Sequence, residues 1–483
     1  PLKIVFTTIL ILTILAGILS MYKESKNKLL DRKEYKALST AMDKAADDFT
    51  SNEDLKNYLT AWADENKLDY KVDDAGNIIF AKEASADKTN VNPVVIAVSY
   101  NYLTAKADAL SLASAQEIAA SNMDAGKYTV IFFNNEGAYG NGYKNISSSY
   151  FTDDTKLIYL DCGNSAYMST RSFSYSPNSI SIPCEMTPVS CDSAIKIRIS
   201  GITSGELGSN SGSQPNPVTA LGTLLNRMST KSITYQLADV KVASAGNMYS
   251  MGLEATIFLN SYSVPVMTKY IDDRIESYNK TYKDDFPDIE YSYEVVEDLS
   301  TLPAYAYSKE ASSALNSILY TVKNGSYKFD KNNVPTDHEV DETYAINSIQ
   351  NIGYENGALN ISIATTAYNN AYLKEVMNQN ATAASFADAN ASAQTGTAVP
   401  VFTNGRSRLA KDLGFAYVKV NTISSRNIII KEDTDKVFTP CSYLKQINDS
   451  MDIVHLKENE DCASVYTNTL LCFIKDQGNF LSL

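Results

Sequence analysis

The residues that could do chemistry follow short apolar runs that are typical of buried strands. These runs are Val94–Val98, Tyr128–Phe133 and Leu157–Leu160. Six polar side chains lie directly after a run or at the start of the helix between the first two, namely Ser99, Asn101, Asp108, Asn135, Glu136 and Asp161. Ligands of open α/β sheets bind at the carboxyl ends of the strands. The pattern therefore predicts one polar site at a single edge of a sheet.

The donor types at this edge limit its chemistry. They are carboxylates, amides and a hydroxyl, and the whole chain of 483 residues has only two histidines, His338 and His455. Zinc prefers imidazole and thiolate mixed with carboxylate, whereas Ca²⁺ and Mg²⁺ take oxygen ligands. A weak hard-cation site at Asp108, Glu136 and Asp161 is the most that these types predict. The sequence has neither a Gly-x-Ser-x-Gly elbow nor a glycine-rich phosphate loop with a lysine.

The elements that must position these residues read as an α/β sheet. Ser51 with Asp54 resembles a capping box before a helix, and Asp74-Ala75-Gly76 is a turn signal between two short strands. Apolar runs then alternate with a helical segment, Leu110–Ser121, in a strand–helix–strand rhythm. This rhythm predicts a doubly wound sheet.

A different pattern begins near residue 193. Strand and helix signals follow in the order β-α-β-β-α-β up to Val296, which is the ferredoxin-like split motif. Ala381–Thr397 is rich in Ala, Ser and Asn and is predicted as a surface loop. The α/β pattern returns with strands predicted at Tyr417–Val420 and Asn427–Lys431 and a closing helix near Ser464–Ile474.

These elements and three local stretches resemble one family. Asp73–Ile79 resembles the hairpin before the first metal strand of the di-zinc aminoacylase and carboxypeptidase-type metallopeptidases, in their aminoacyl-histidine dipeptidase branch. Leu157–Asp161 resembles the third metal strand, and Gly201 with Gly205 resembles the start of the lid domain. The resemblance implies a metallopeptidase-like doubly wound domain over 51–192 and 401–483, with a ferredoxin-like lid domain inserted at 193–400. The lid implies a homo-oligomer.

The sequence departs from the family's pattern at most of the functional positions. Asp108 and Asp161 match two metal carboxylates, but the His-x-Asp motif falls on Ser99 and Asn101. Asn135 stands where the family has its general base, directly before the retained metal ligand Glu136. Glu206 stands in place of the lid histidine. Leu456 or Lys457, next to His455, stands in place of the last metal histidine. An amide cannot take a proton from water near neutral pH. We therefore predict a catalytically inactive scaffold from which zinc is absent.

The first residues predict a membrane or assembly segment. Leu2–Met21 carries a single charge, Lys3, and is long enough to span a bilayer as a helix. A membrane anchor, a helix in a filament core, a signal peptide and a buried helix are the alternatives. Residues 1–21 are predicted to bind membrane lipid or other copies of the chain, and residues 22–50 to continue as an amphipathic stalk helix.

Charge and cysteine usage indicate the surroundings of the protein. The formal net charge is −14, which argues against a nucleic-acid partner because phosphate binding needs a basic face. Six cysteines could pair, and Cys184 and Cys191 are the candidates for a disulfide across a short loop. Recurrent Asn-x-Ser/Thr sequons also favour a body outside the cytoplasm, on the cell surface.

Three functions are compatible with these observations. The first is a structural surface protein, anchored or assembled into filaments through its hydrophobic helix, that uses an inactive peptidase fold. The second is a protein that binds a peptide, an amino acid or a cation in the old cleft. The third is a divergent, active dipeptidase with shifted metal ligands.

Overall fold

The structure is a computed structural model, and it describes residues 32–136, 141–163, 166–202, 215–244, 250–336, 338–396, 398–399, 401–403, 407–420, 439–459 and 463–476. The predicted hydrophobic helix (1–21), Glu206, Gly205 and the strand predicted at Asn427–Lys431 lie outside these ranges. Within them, no helix combines the length and the apolar character needed to cross a bilayer.

The helices lie in all parts of the described chain. In chain order they are α1 (Arg32–Ala45), α2 (Asn52–Glu65), α3 (Ala109–Ala120), α4 (Asn141–Asn145), α5 (Pro217–Thr230), α6 (Val264–Tyr282), α7 (Lys309–Thr321), α8 (Asn370–Ala387), α9 (Arg408–Val420), α10 (Cys441–Ile447) and α11 (Ala463–Lys475). The cap predicted for α2 is present, because the Ser51 side chain accepts a hydrogen bond from the backbone N–H of Asp54.

The strands form several sheets. In chain order they are β1 (Lys71–Val72), β2 (Ile78–Lys82), β3 (Val94–Tyr100), β4 (Tyr128–Asn134), β5 (Lys156–Cys162), β6 (Tyr167–Ser169), β7 (Arg171–Ser172), β8 (Ser174–Pro183), β9 (Met186–Pro188), β10 (Ser193–Ser200), β11 (Tyr235–Ala243), β12 (Gly252–Leu259), β13 (Glu290–Val296), β14 (Tyr305–Tyr307), β15 (Gly325–Lys328), β16 (Thr343–Glu355), β17 (Ala358–Ala367), β18 (Ser392–Thr395), β19 (Phe402–Thr403) and β20 (Asp452–Glu458).

A central sheet positions the predicted site. Its strand order is β1-β2-β4-β3-β5-β20-β6, and β3, β4, β5 and β20 run parallel. Both faces are covered, because α1, α3, α9 and α11 contribute buried side chains on one face and an aromatic cluster lies on the other. Such burial explains why β3, β4 and β5 read as continuous apolar runs. A mixed α/β fold with a large central sheet is therefore confirmed.

The middle of the chain forms two further sheets. The first has the order β11-β12-β10-β13, with β10 antiparallel to both of its neighbours. Helices α5 and α6 connect its strands in the predicted β-α-β-β-α-β order. The second sheet has the order β15-β16-β17-β8-β18 and includes β8, from the segment before residue 193. The domain limits drawn from the sequence stay a prediction.

Three local predictions are wrong. The segment predicted as the surface loop Ala381–Thr397 is not a single loop, because α8 runs to Ala387 and Ser392–Thr395 forms β18. Tyr417–Val420 is the last turn of α9, not a strand. Cys184 and Cys191 are both buried free thiols in separate clusters, so the predicted disulfide is not formed.

Candidate functional site

Strand pairing brings residues almost three hundred positions apart to one place. Strand β20 lies parallel to β5, with His455 opposite Tyr159 and Lys457 opposite Asp161. Side chains alternate between the faces of a sheet, so all four point to the same face. The carboxyl edge of the sheet therefore carries a carboxylate, an imidazole and an ammonium side by side.

The imidazole of His455 is held against Asp161. Its Nε2 atom lies 3.3 Å from Oδ2 of Asp161, and the residue is only 1 % exposed. The rings of Tyr159 and Tyr167 pack on it at 5.5 and 5.9 Å between centroids. The structure places His455 within β20, as a partner of one retained carboxylate.

Asp108 lies directly before α3 and belongs to the same site. It accepts a hydrogen bond of 2.6 Å from the Thr104 hydroxyl. Although part of the residue reaches solvent, its carboxyl group is surrounded by protein, and this burial raises its pKa to about 7. The negative charge of Asp161 raises the pKa further, while Thr104 and Lys457 lower it. Asp108 can therefore exchange a proton near neutral pH.

Ser99 connects two tyrosines on the face that carries Asp161. Its hydroxyl forms a hydrogen bond of 2.7 Å with Tyr159 and a second hydrogen bond with Tyr143. Burial raises the pKa of both tyrosines well above the ordinary value, so both hydroxyls stay neutral. Sequence reasoning missed Tyr143, which comes from α4 and reaches the sheet only through the tertiary fold.

The other predicted positions have structural roles or face solvent. Asn101 donates a 2.5 Å hydrogen bond to the Asn135 carbonyl, and its Oδ1 accepts one from the Leu103 N–H. The two loops are thereby tied together, and both asparagines are buried. Glu136 is exposed, unlike Asp161. Asp108, Glu136 and Asp161 were predicted to form a hard-cation site. The structure brings only Asp108 and Asp161 of these three into one buried environment.

A second polar cluster lies on the opposite face of β20, and sequence reasoning missed it. Glu458 is fully buried and accepts a hydrogen bond of 2.8 Å from Ser114, which also bonds Thr467 at 2.8 Å. Burial raises the pKa of Glu458 to about 8. Cys162 accepts a hydrogen bond from the Ser111 N–H, and burial raises its thiol pKa, so it is no activated nucleophile.

The described arrangement does not fit a bound zinc ion. Among the residues that the structure describes, no three His, Cys, Asp or Glu side chains are grouped so that they could hold a metal. Asp108, Asp161 and His455 are donor types that zinc accepts. The ammonium of Lys457, however, lies 3.9 Å from Oδ2 of Asp161, so a positive charge already stands beside this carboxylate.

The comparisons with known proteins find structural likeness alone. No protein-family model matches the chain, and no curated protein matches it. The aminoacylhistidine dipeptidase of Vibrio alginolyticus has a similar solved structure, with 14 % identity, a TM-score of 0.49 and 88 % of this chain and 92 % of that chain covered. A tripeptidase from Staphylococcus aureus is 10 % identical with a TM-score of 0.41, and the match covers 92 % of this chain and 98 % of that chain. A hydantoinase/carbamoylase-family amidase from Burkholderia multivorans is 8 % identical with a TM-score of 0.37, and the match covers 87 % of this chain and 89 % of that chain.

These neighbours confirm the resemblance to the metallopeptidases at the level of the fold. They also correct two predictions. The prediction of a catalytically inactive protein is wrong, because the solved structures of similar fold are peptidases and an amidase. The prediction that zinc is absent followed from the prediction of inactivity and is withdrawn with it, although the described residues do not group three metal ligands.

Proposed function

We propose that this protein is a divergent hydrolase that cleaves peptide or related amide bonds of small substrates at the carboxyl edge of the central sheet. The observation that carries the proposal is the cluster at that edge, where Asp161 contacts both His455 and Lys457. Titratable groups that are largely buried and lie next to a carboxyl of raised pKa mark candidate catalytic sites.

Each group suits one task in amide hydrolysis. Asp161 orients the imidazole of His455, which takes a proton from the attacking water. The ammonium of Lys457 stabilises the negative charge that develops on the carbonyl oxygen. Asp108, with a pKa of about 7, donates a proton to the leaving amine. His455 then releases its proton to solvent and Asp108 takes one up from solvent, so that both groups return to their starting states and the protons balance over one turnover.

His455→Ala and Asp161→Asn are expected to lower kcat/KM for a dipeptide by about 10²-fold or more, the range for lost general acid–base catalysis. The assay uses the purified full chain and a panel of dipeptides and N-acyl amino acids. Each substrate is tested with added zinc and with a chelator, and the metal content of the same sample is measured.

The second histidine provides a matched control. His338 lies between β15 and β16, where it pairs with Glu342 at 3.0 Å and packs on Phe329 and Tyr368. We expect His338→Ala to leave kcat/KM unchanged. The proposal fails if the unaltered protein hydrolyses no member of the panel under either metal condition, or if His338→Ala loses as much activity as His455→Ala.

We also propose that residues 1–21 attach the protein to membrane lipid or to other copies of itself, with the body on the cell surface. The support is the sequence, in which Leu2–Met21 contains one charge. Deletion of 1–21 is expected to move the protein from the sedimenting to the soluble fraction. Release of the full chain by detergent would indicate lipid, and long polymers that persist in detergent would indicate self-assembly. A full chain that never sediments would contradict both.

A further inference from the structure

Three hydroxyl groups meet on the face of the central sheet that carries His455. The Ser99 hydroxyl forms a hydrogen bond of 2.7 Å with the Tyr159 hydroxyl and another with the Tyr143 hydroxyl, and the two tyrosine hydroxyls bond each other. Both tyrosines are buried. A hydroxyl both donates and accepts hydrogen bonds, so each group of this hydroxyl triangle (Ser99, Tyr143 and Tyr159) can donate to one neighbour and accept from the other.

Each corner of the hydroxyl triangle comes from a different element, so its geometry depends on tertiary packing. Ser99 lies in β3, Tyr159 lies in the adjacent strand β5, and Tyr143 comes from α4. The Tyr143 ring stacks on Phe133 at 4.7 Å and on Tyr443 at 6.3 Å between centroids. This packing leaves the Tyr143 ring little freedom to turn, and its hydroxyl fixes the positions of the other two.

The Tyr159 ring connects the hydroxyl triangle to the imidazole. Tyr159 and His455 are directly opposite each other in the parallel pair of β5 and β20, and their ring centroids are 5.5 Å apart. The backbone of β5 fixes one end of the tyrosine ring and the hydrogen bonds fix the other. A ring held at both ends presents a rigid surface to the imidazole, and this surface limits the positions that His455 can take beside Asp161.

We propose that Ser99, Tyr143 and Tyr159 are positioning residues for His455, because the hydroxyl triangle fixes the Tyr159 ring and the ring keeps the imidazole against Asp161. Its effect on catalysis rests on the hydrolysis proposed above, in which His455 takes a proton from water. The orientation of the imidazole, however, is a property of the protein without substrate and can be measured separately.

The first test is the NMR spectrum of the full chain with isotope-labelled histidine, recorded without substrate. The chain has two histidines, so the spectrum of His455→Ala assigns the signals of both. Ser99→Ala leaves the tyrosine hydroxyls only each other, so the Tyr159 ring gains freedom and its ring-current effect on His455 changes. We expect the His455 ring resonances to shift or broaden, while those of His338 stay in place. Tyr143→Phe keeps the stacked ring, should act in the same direction, and decides the question if Ser99→Ala does not fold.

The second test is kinetic and uses a dipeptide that the unaltered protein hydrolyses. Ser99→Ala should lower kcat by about tenfold or more with little change in KM, because a misplaced base slows the chemical step. Ser99→Thr keeps a hydroxyl at this position, and it should restore most of kcat together with the original His455 resonances.

A buried serine of another sheet is the control. Ser348 lies in β16, is 0 % exposed, and its hydroxyl accepts a hydrogen bond of 2.9 Å from Gln350. Ser348→Ala also loses a buried hydrogen bond and should leave the His455 resonances and kcat unchanged. Unmoved His455 resonances in both Ser99→Ala and Tyr143→Phe would overturn the positioning role, and so would an equal response to Ser348→Ala. If the unaltered chain hydrolyses no substrate, the proposed function fails alone, since the resonances still decide the positioning.

Discussion

Glu458→Gln is expected to make the protein more stable than its parent at pH 8 and to remove much of the loss of stability between pH 5 and 8. Glu458 is fully buried, and its Oε2 accepts a hydrogen bond from Ser114. Its Oε1 has no hydrogen-bond partner within the described part of the chain. Glutamine keeps the shape and the acceptor but cannot become charged in this environment.

The direction follows from the pKa of the carboxyl group. Burial raises the pKa of Glu458 from 4.5 to about 8 in the folded protein. The folded state therefore holds the proton more tightly, and its contribution to stability is fully present below pH 4.5 and is lost as the pH rises through about 8. Each unit of pKa difference is worth about 1.4 kcal/mol, so the loss amounts to several kcal/mol.

Urea unfolding at intervals between pH 5 and 8 measures the effect. Asp108 acts in the same direction, because its pKa is raised to about 7, so the Glu458→Gln profile should be flatter but not flat. Glu276→Gln, on the exposed side of α6, is the control and should follow the parent. Identical pH profiles for Glu458→Gln and the parent would show that this carboxyl group does not govern the pH response.

The sequence alone predicted the parts of the fold that depend on local signals. The buried strands β3, β4 and β5 read as apolar runs because both faces of the sheet are covered. Asp161 was therefore placed correctly at a strand end. Predictions were wrong where composition conflicted with packing. Tyr417–Val420 has strand-like residues, but Leu409, Leu413 and Ala416 are buried at helical spacing and make this segment a helix.

The rest of the site could not be predicted because it depends on pairing between distant segments. Strand β20 joins β5 across almost three hundred residues, and this pairing alone gives Asp161 its partners. Lys457 and Glu458 end an apolar strand, where charged residues ordinarily face solvent. The sequence signal for this part of the site was the alternation that puts Ile453, His455 and Lys457 on one face of a strand. It could be interpreted only once the register of β20 against β5 was known.

Gly201→Ala is expected to destabilise the protein far more than Gly357→Ala, although both glycines have nearly the same backbone conformation. Their φ angles are +78° and +77°, in the left-handed region that costs an ordinary residue about 1–2 kcal/mol. A Cβ at Gly201 would overlap the carbonyl oxygen of Asp288, whereas nothing lies within 4 Å of one at Gly357. The difference between the two variants in the free energy of unfolding therefore measures the steric overlap separately from the backbone strain.

The overlap is costly because the atoms that it meets are backbone. Gly201 follows β10, and Asp288 and Ile289 lead into β13, the strand paired with β10. A shift of either segment would disturb this ladder, so we expect Gly201→Ala to lose about 3 kcal/mol or more, against about 1 kcal/mol for Gly357→Ala. Urea unfolding of both variants measures the free energies. Equal losses would mean that the chain after β10 can move away from β13, and that the glycine is needed there for its φ angle alone.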